Sequence, residues 1–173
     1  MSLLRWALFA VPTVVLLGFL SASVSGSAGK NAWFQELVKP AAQPPDWAFP
    51  IAWTILYVMI GFALAIILNA RGAPQRMLGV GLFGVQLALN LLWSPLFFGK
   101  HEVTNAFYLI LLIFVAALAT TFIFGRIRKA AAWLMVPYLA WLSFASILNY
   151  QIDRLNPDAE RLYVPAATSD IGN

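Results

Sequence analysis

The chain has no cysteine among its 173 residues, which removes disulfides, thiolate metal sites and cysteine nucleophiles from consideration. Charge is nearly as scarce. Only 10% of residues are charged and 61% are hydrophobic, against roughly 25% charged in an average soluble domain. Histidine occurs once, at His101 between Lys100 and Glu102. In a short polar connector it reads as a solvated residue rather than a haem ligand. The apolar stretches contain no paired carboxylates and no cluster of metal-ligating side chains, so no protein-borne acid–base or metal chemistry is encoded there. The net charge of +4 is spread over short groups with no basic stripe, which argues against nucleic acid as a partner. An internal repeat is also missing, so the inverted-repeat plan of many secondary transporters has no support.

What is present is long and apolar. Uncharged stretches run over residues 6–29, 48–68, 77–99, 103–125 and 130–152, each long enough for the ~20 residues that cross a ~30 Å hydrocarbon core. Five such stretches leave no amphipathic surface to face water. The fold class expected is an all-α membrane protein, a five-transmembrane-helix bundle. Helices are expected at about 5–26, 48–69, 76–98, 103–125 and 130–152, with a connecting lid loop at 30–47 and a polar C-terminal tail at 157–173 that frays.

Membrane orientation follows from the basic residues. The side carrying the N-terminus (side A) holds Arg5, Arg71, Arg76, Arg126, Arg128 and Lys129, five of them in two compact loops. The opposite side B holds Lys30, Lys39, Lys100, Arg154, Arg161 and all the acids. In a bacterial cell membrane this predicts a cytoplasmic N-terminus and an outward C-terminus. The first stretch also suits a cleavable signal peptide. Its length and the four-residue spacing of Gly18, Ala22 and Gly26 favour a retained helix with a smooth packing face. Pro40, Pro44 and Pro45 predict a stiff, non-helical first loop, Asp46 a cap for the second helix, and Pro95 and Pro137 kinks beside packed protein.

Seven tryptophans first suggest interfacial belts, and Trp6, Trp133 and Trp47 suit that role. Trp53 and Trp93 lie about 8 Å, and Trp141 about 14 Å, inside the side-B ends of their helices. Phe49, Trp53 and Tyr57 form one stripe; Gln86, Asn90 and Trp93 form a second; Tyr138, Trp141, Ala145 and Asn149 form a third. Each residue alone is equally explained by interhelical packing. Together they describe an apolar pocket with a few polar anchors, suited to a flat hydrophobic ligand. The fourth stretch offers no such face and is expected to be the most lipid-exposed. Gly81, Gly84 and Ala88 give the third helix a smooth patch through which two copies could meet as a homodimer.

Three ordered motifs carry a resemblance across nearly the whole chain. Trp33-Phe34 with Lys39-Pro40, followed by Pro44-Pro45-Asp46-Trp47-Ala48-Phe49-Pro50-Ile51-Ala52-Trp53-Thr54-Ile55-Leu56-Tyr57, is similar to the first loop and second helix of the translocator protein / tryptophan-rich sensory protein family. The run from Gln86 through Asn90-Leu91-Leu92-Trp93-Ser94-Pro95 to Gly99 resembles that family's third helix, and Pro137-Tyr138-Leu139-Ala140-Trp141 with Leu148-Asn149 its fifth. The resemblance implies a five-helix bundle, often dimeric, with a pocket closed by the first loop. It also implies porphyrin or haem as ligand, with sterols in many members, and no required cofactor. By motif position the ligand-binding candidates are Trp47, Phe49, Trp53, Tyr57, Asn90, Trp93, Tyr138, Trp141 and Ala145. Trp53 and Trp141 match tryptophans linked in bacterial members to light-dependent porphyrin breakdown. Ala41 and Ala42 depart from relatives that carry aromatics after the Lys-Pro pair. Leu148, Tyr150 and Arg154 satisfy a loose sterol-recognition pattern, which interfacial anchoring explains equally. The leading reading is a membrane receptor for tetrapyrroles. A porphyrin-degrading enzyme and a transporter stand as alternatives.

Overall fold

The computed structural model describes residues 2–26 and 31–162; Met1, Lys30 at the head of the expected lid and the tail from residue 163 lie outside the described residues. In chain order the helices are α1 (Leu3–Ser25), α2 (Ala32–Glu36), α3 (Ala48–Asn69), α4 (Arg76–Ser94), α5 (Val103–Ile127) and α6 (Lys129–Leu155). A π turn, Pro95–Gly99, prolongs α4, and a single 3-10 turn, Ala159–Arg161, follows α6. Five of these, namely α1, α3, α4 with its π turn, α5 and α6, are long and apolar enough to cross a membrane.

Around the bundle α1 packs on α3, α3 on α6, α6 on α5 and α5 on α4, and lighter contacts of α4 with α1 and α3 close the ring. Small residues set the close approaches, as expected where lipid removes any hydrophobic drive between helices. A Cβ on Gly61 would lie 2.9 Å from Val11 Cα, and one on Gly79 would lie 3.2 Å from Ile123. Gly18 in α1 gives room to the ring of Tyr57 in α3, which any side chain there would strike. Gly26 takes a left-handed conformation (φ 63°) and ends α1. The expected stripe therefore divides its work between packing and termination.

Several expectations are corrected. The fourth span, α5, is not the most lipid-exposed: it buries Ala106, Ile110, Ile113, Ala117, Thr120 and Phe124, while α1 is covered least. Apolar and small side chains pack helices in a membrane without any polar face. The first loop is not free of helix, because α2 forms ahead of its prolines, with Asn31 Oδ1 accepting from Phe34 N at 2.9 Å as the N-cap. Asp46 does not cap α3, whose N-cap is Trp47 with no side-chain bond; its carboxylate accepts from Gln35 Nε2 at 3.0 Å instead. The start of the tail does not fray. Asn156 accepts from Val38 N (2.8 Å) and donates to Val38 O (2.9 Å), and Ala159 is buried with Trp33, Phe34 and Phe97. Helix ends differ from expectation by up to three residues at α6, Lys129–Leu155 against 130–152, and the third span closes in the π turn.

Candidate ligand-binding cavity

Proline at position 95 has no amide hydrogen to offer Leu91 O, so α4 leaves that carbonyl free inside the bilayer. Ser21 of α1 fills the gap, its Oγ donating to Leu91 O at 2.6 Å. One turn further on, the hydroxyls of Ser25 and Ser94 meet at 2.6 Å. These bonds fix the side-B end of α1 against α4 and leave a cavity of about 390 Å³ enclosed by α1, α3, α4, α5, α6 and the first loop. That volume lies within the range of ~300–1,000 Å³ usual for small-molecule sites.

The walls are mostly aromatic. Trp53 of α3 and Trp141 of α6 face each other at 6.3 Å between ring centroids and 80° between planes. Phe49 meets Trp141 edge-on at 6.0 Å, and Trp53 lies 5.2 Å from Tyr57. On the opposite wall Trp93 stacks on Phe97 at 4.9 Å, and its Nε1 donates to Ala106 O at 3.1 Å. Such edge-to-face and offset pairs are the favoured geometries for rings of this type.

Beneath the cavity runs a buried polar chain. Tyr57 Oη donates to Asn90 Oδ1 (2.8 Å), Asn90 Nδ2 donates to Tyr138 Oη (3.1 Å), and Tyr138 Oη donates to Gln86 Oε1 (2.8 Å). Amides and phenols are costly in hydrocarbon unless paired, so this chain ties α3, α4 and α6 together at one level. Asn149 Nδ2 donates to Val103 O at 3.0 Å. Its Oδ1, the Nε1 of Trp141 and the Oε1 of Gln43 are buried without partners, and all three residues line the cavity. They leave hydrogen-bonding capacity unused at the cavity wall. Among the described residues the lining contains no Lys, Arg or His, and its one charged residue is Asp46.

Of the residues singled out by sequence, Phe49, Trp53, Tyr57, Asn90, Trp93, Trp141 and Ala145 line this one cavity. Tyr138 lies behind it, fully buried. Trp47 is 68% exposed and outside it. Leu148 lines the cavity, whereas Tyr150 is exposed on the outer surface with Arg154 Nε donating to its hydroxyl at 3.2 Å. The three residues of the sterol pattern thus share no face. Gly18, Ser21 and Ala22 of α1 and Ile110 and Ile113 of α5 complete the wall and were not singled out as site residues. The four-residue spacing of Gly18 and Ala22 was the available signal.

The first loop sits over the side-B end. Trp33 is buried, donates from Nε1 to Ala159 O at 2.9 Å and stacks on His101 at 4.2 Å and 9°. His101 is therefore no freely solvated residue, and its backbone is left-handed (φ 61°). Burial holds its imidazole below the usual 6.5, and a hydrogen bond with the Phe98 backbone works the other way.

A bundle of five helices long and apolar enough to cross a membrane, closing an aromatic cavity near one end, defines a multi-pass integral membrane protein. The chain belongs to the TspO/MBR family, whose model matches residues 10–155. It is similar to the tryptophan-rich protein TspO of Chlorobaculum tepidum, 45% identical over 126 residues that span 72% of this chain and 80% of the relative. It is similar to the tryptophan-rich sensory protein of Cereibacter sphaeroides, 35% identical over 156 residues (87% and 92%). The translocator protein of Homo sapiens is 37% identical over 126 residues (72% and 75%).

Proposed function

We propose that this protein is a membrane receptor that binds a porphyrin or similarly flat tetrapyrrole in the side-B cavity, with Trp53 and Trp141 against the macrocycle and Asn90 among the polar anchors. The observation that carries the reading is the pairing of those two indoles on one cavity wall. Planar aromatic ligands gain from ring contacts beyond simple area burial. Among the described residues the lining carries no basic side chain, so we place the ligand's carboxylates at the mouth, in side-B water. In a bacterial cell membrane the N-terminus is cytoplasmic and the cavity mouth faces outward. Relatives named as sensory and translocator proteins are in keeping with a binding role that reports or moves a hydrophobic ligand.

A second reading is light-driven oxidation of the bound porphyrin by dissolved dioxygen, with the same two indoles in contact with the excited ring. A titration of the detergent-purified protein with protoporphyrin, followed by tryptophan quenching, tests the binding itself. Saturable quenching at one ligand per chain is expected. Non-saturating quenching equal to that of an unrelated membrane protein in the same detergent would overturn the reading.

A further inference from the structure

At the end of the bundle opposite the aromatic cavity, the connector between α3 and α4 and the junction of α5 with α6 enclose a second depression, lined by Arg71, Gly72, Ala73, Pro74, Gln75, Arg126, Ile127 and Arg128. Three arginines thus line one cup. Arg126 has only the face of Phe122 beside it, 5.0 Å from the ring centroid, and Arg128 Nη1 donates only to the neighbouring Ile127 O at 2.9 Å. Arg71 is exposed and makes no side-chain hydrogen bond to another described residue. Among the described residues the one ion pair is Arg161 with Asp158, at the other end of the molecule, and no acid pairs with the arginines of this cup. The nearby Arg76 is already engaged, donating to Ile67 O and Leu68 O, so it closes the end of α3 rather than adding to the cup.

The N-cap of α4 is Gln75 and that of α6 is Arg128, each without a side-chain cap hydrogen bond, and neither helix has an acid in its first turn. Their N-terminal, positive ends lie at this end of the bundle together with the C-terminal, negative ends of α3 and α5, so the helix dipoles largely offset one another and the arginines carry the charge of the cup. Gly72 and Gln75 hold positive φ values of 73° and 63°, which turn the connector tightly enough to bring Arg71 round to the α5–α6 junction. A planar guanidinium donates two parallel hydrogen bonds to phosphate oxygens, and several of them make a phosphate site rather than a general cationic surface. The cup also lies where a helix leaves the hydrocarbon, at the level of lipid phosphates.

We propose that this cup binds the phosphate group of an anionic phospholipid of the side-A leaflet, as a site separate from the aromatic cavity. Native mass spectrometry of the full chain, released from micelles containing phosphatidylglycerol and phosphatidylcholine in equal amounts, tests it. Wild-type protein is expected to retain phosphatidylglycerol preferentially. The double variant Arg71→Gln/Arg126→Gln should bind it about tenfold more weakly or worse, as expected for lost charge-assisted hydrogen bonds. Lys129→Gln, which removes a neighbouring charge outside the cup, should behave as wild type. Absence of a lipid preference in the wild type, or an equal loss in Lys129→Gln, would overturn the site in favour of diffuse charge attraction. Inorganic phosphate added at millimolar concentration should leave the lipid in place; displacement would overturn the lipid assignment and give the cup to a soluble phosphate. Unchanged porphyrin quenching in the double variant confirms that the fold is intact.

Discussion

Replacing an indole by phenylalanine separates shape from redox chemistry at Trp53 and Trp141, because the ring is kept and the easily oxidised heterocycle is lost. Each variant is expected to weaken porphyrin binding about two- to tenfold, the worth of one aromatic contact, and to slow light-dependent bleaching by more than that factor. Trp133→Phe, at a residue 72% exposed on the outside of α6, should change neither quantity. Fluorescence titration and absorbance decay under illumination measure the two effects. At this scale the sequence was most readable where a residue type is out of place. Asn90, Gln86 and Asn149 stand in apolar runs and must find partners, and three of the tryptophans lie too deep for an interfacial belt. Gly18 and Ser21 were less readable as site residues. A glycine making room for Tyr57 and a serine answering a proline 74 residues later depend on which helices become neighbours, which spacing within one helix does not state.

The spanning helices were legible as elements because length and hydropathy decide them, and their ends because charged residues mark where the hydrocarbon stops. The first loop and the start of the tail were not. Prolines at 40, 44 and 45 are compatible with a helix that closes before them, and the cap at Asn31 starts one. Asn156 holds the tail by imitating a backbone partner for Val38, a contact between segments more than a hundred residues apart. His101 gives this region a testable pH dependence. Its pKa is held below the usual 6.5 in the folded protein, so between the two values the unfolded chain binds more protons. The contribution to stability is therefore complete above about pH 6.5 and is lost as the pH falls through that value towards the folded pKa. Thermal unfolding of the wild type should shift to lower temperature between about pH 7.5 and pH 5, and the shift should be smaller in His101→Gln. Equal shifts in the two proteins would show that the stack on Trp33 does not sense protonation.

For the molecule as a whole, the outward face of α4 offers Gly81 and Gly84, with no atom within 4 Å of a Cβ built on either, and Ala88 exposed beside them. Two copies can approach there as closely as α1 and α3 do within one chain. Gly84→Leu is expected to convert a dimer to monomer in native mass spectrometry while leaving porphyrin binding unchanged. Persistence of the dimer, or a monomeric wild type, would place any assembly elsewhere. The two ends of the bundle carry different chemistry, aromatic and enclosed on side B, basic and open on side A. That division was visible in the distribution of Trp, Arg and acidic residues along the chain, whereas the cyclic order of helices that shapes both sites was not.

The proposed ligand site is the cavity between Trp53, Trp93 and Trp141. Ala145 lines that cavity and takes no part in the hydrogen-bonded chain beneath it, so Ala145→Trp fills the space without removing an anchor. Side by side with the wild type, the variant should give a closely similar unfolding temperature and bind protoporphyrin at least about tenfold more weakly, since a ligand-sized contact surface is lost. Wild-type affinity in a folded Ala145→Trp protein would contradict the account and put the binding site outside this cavity.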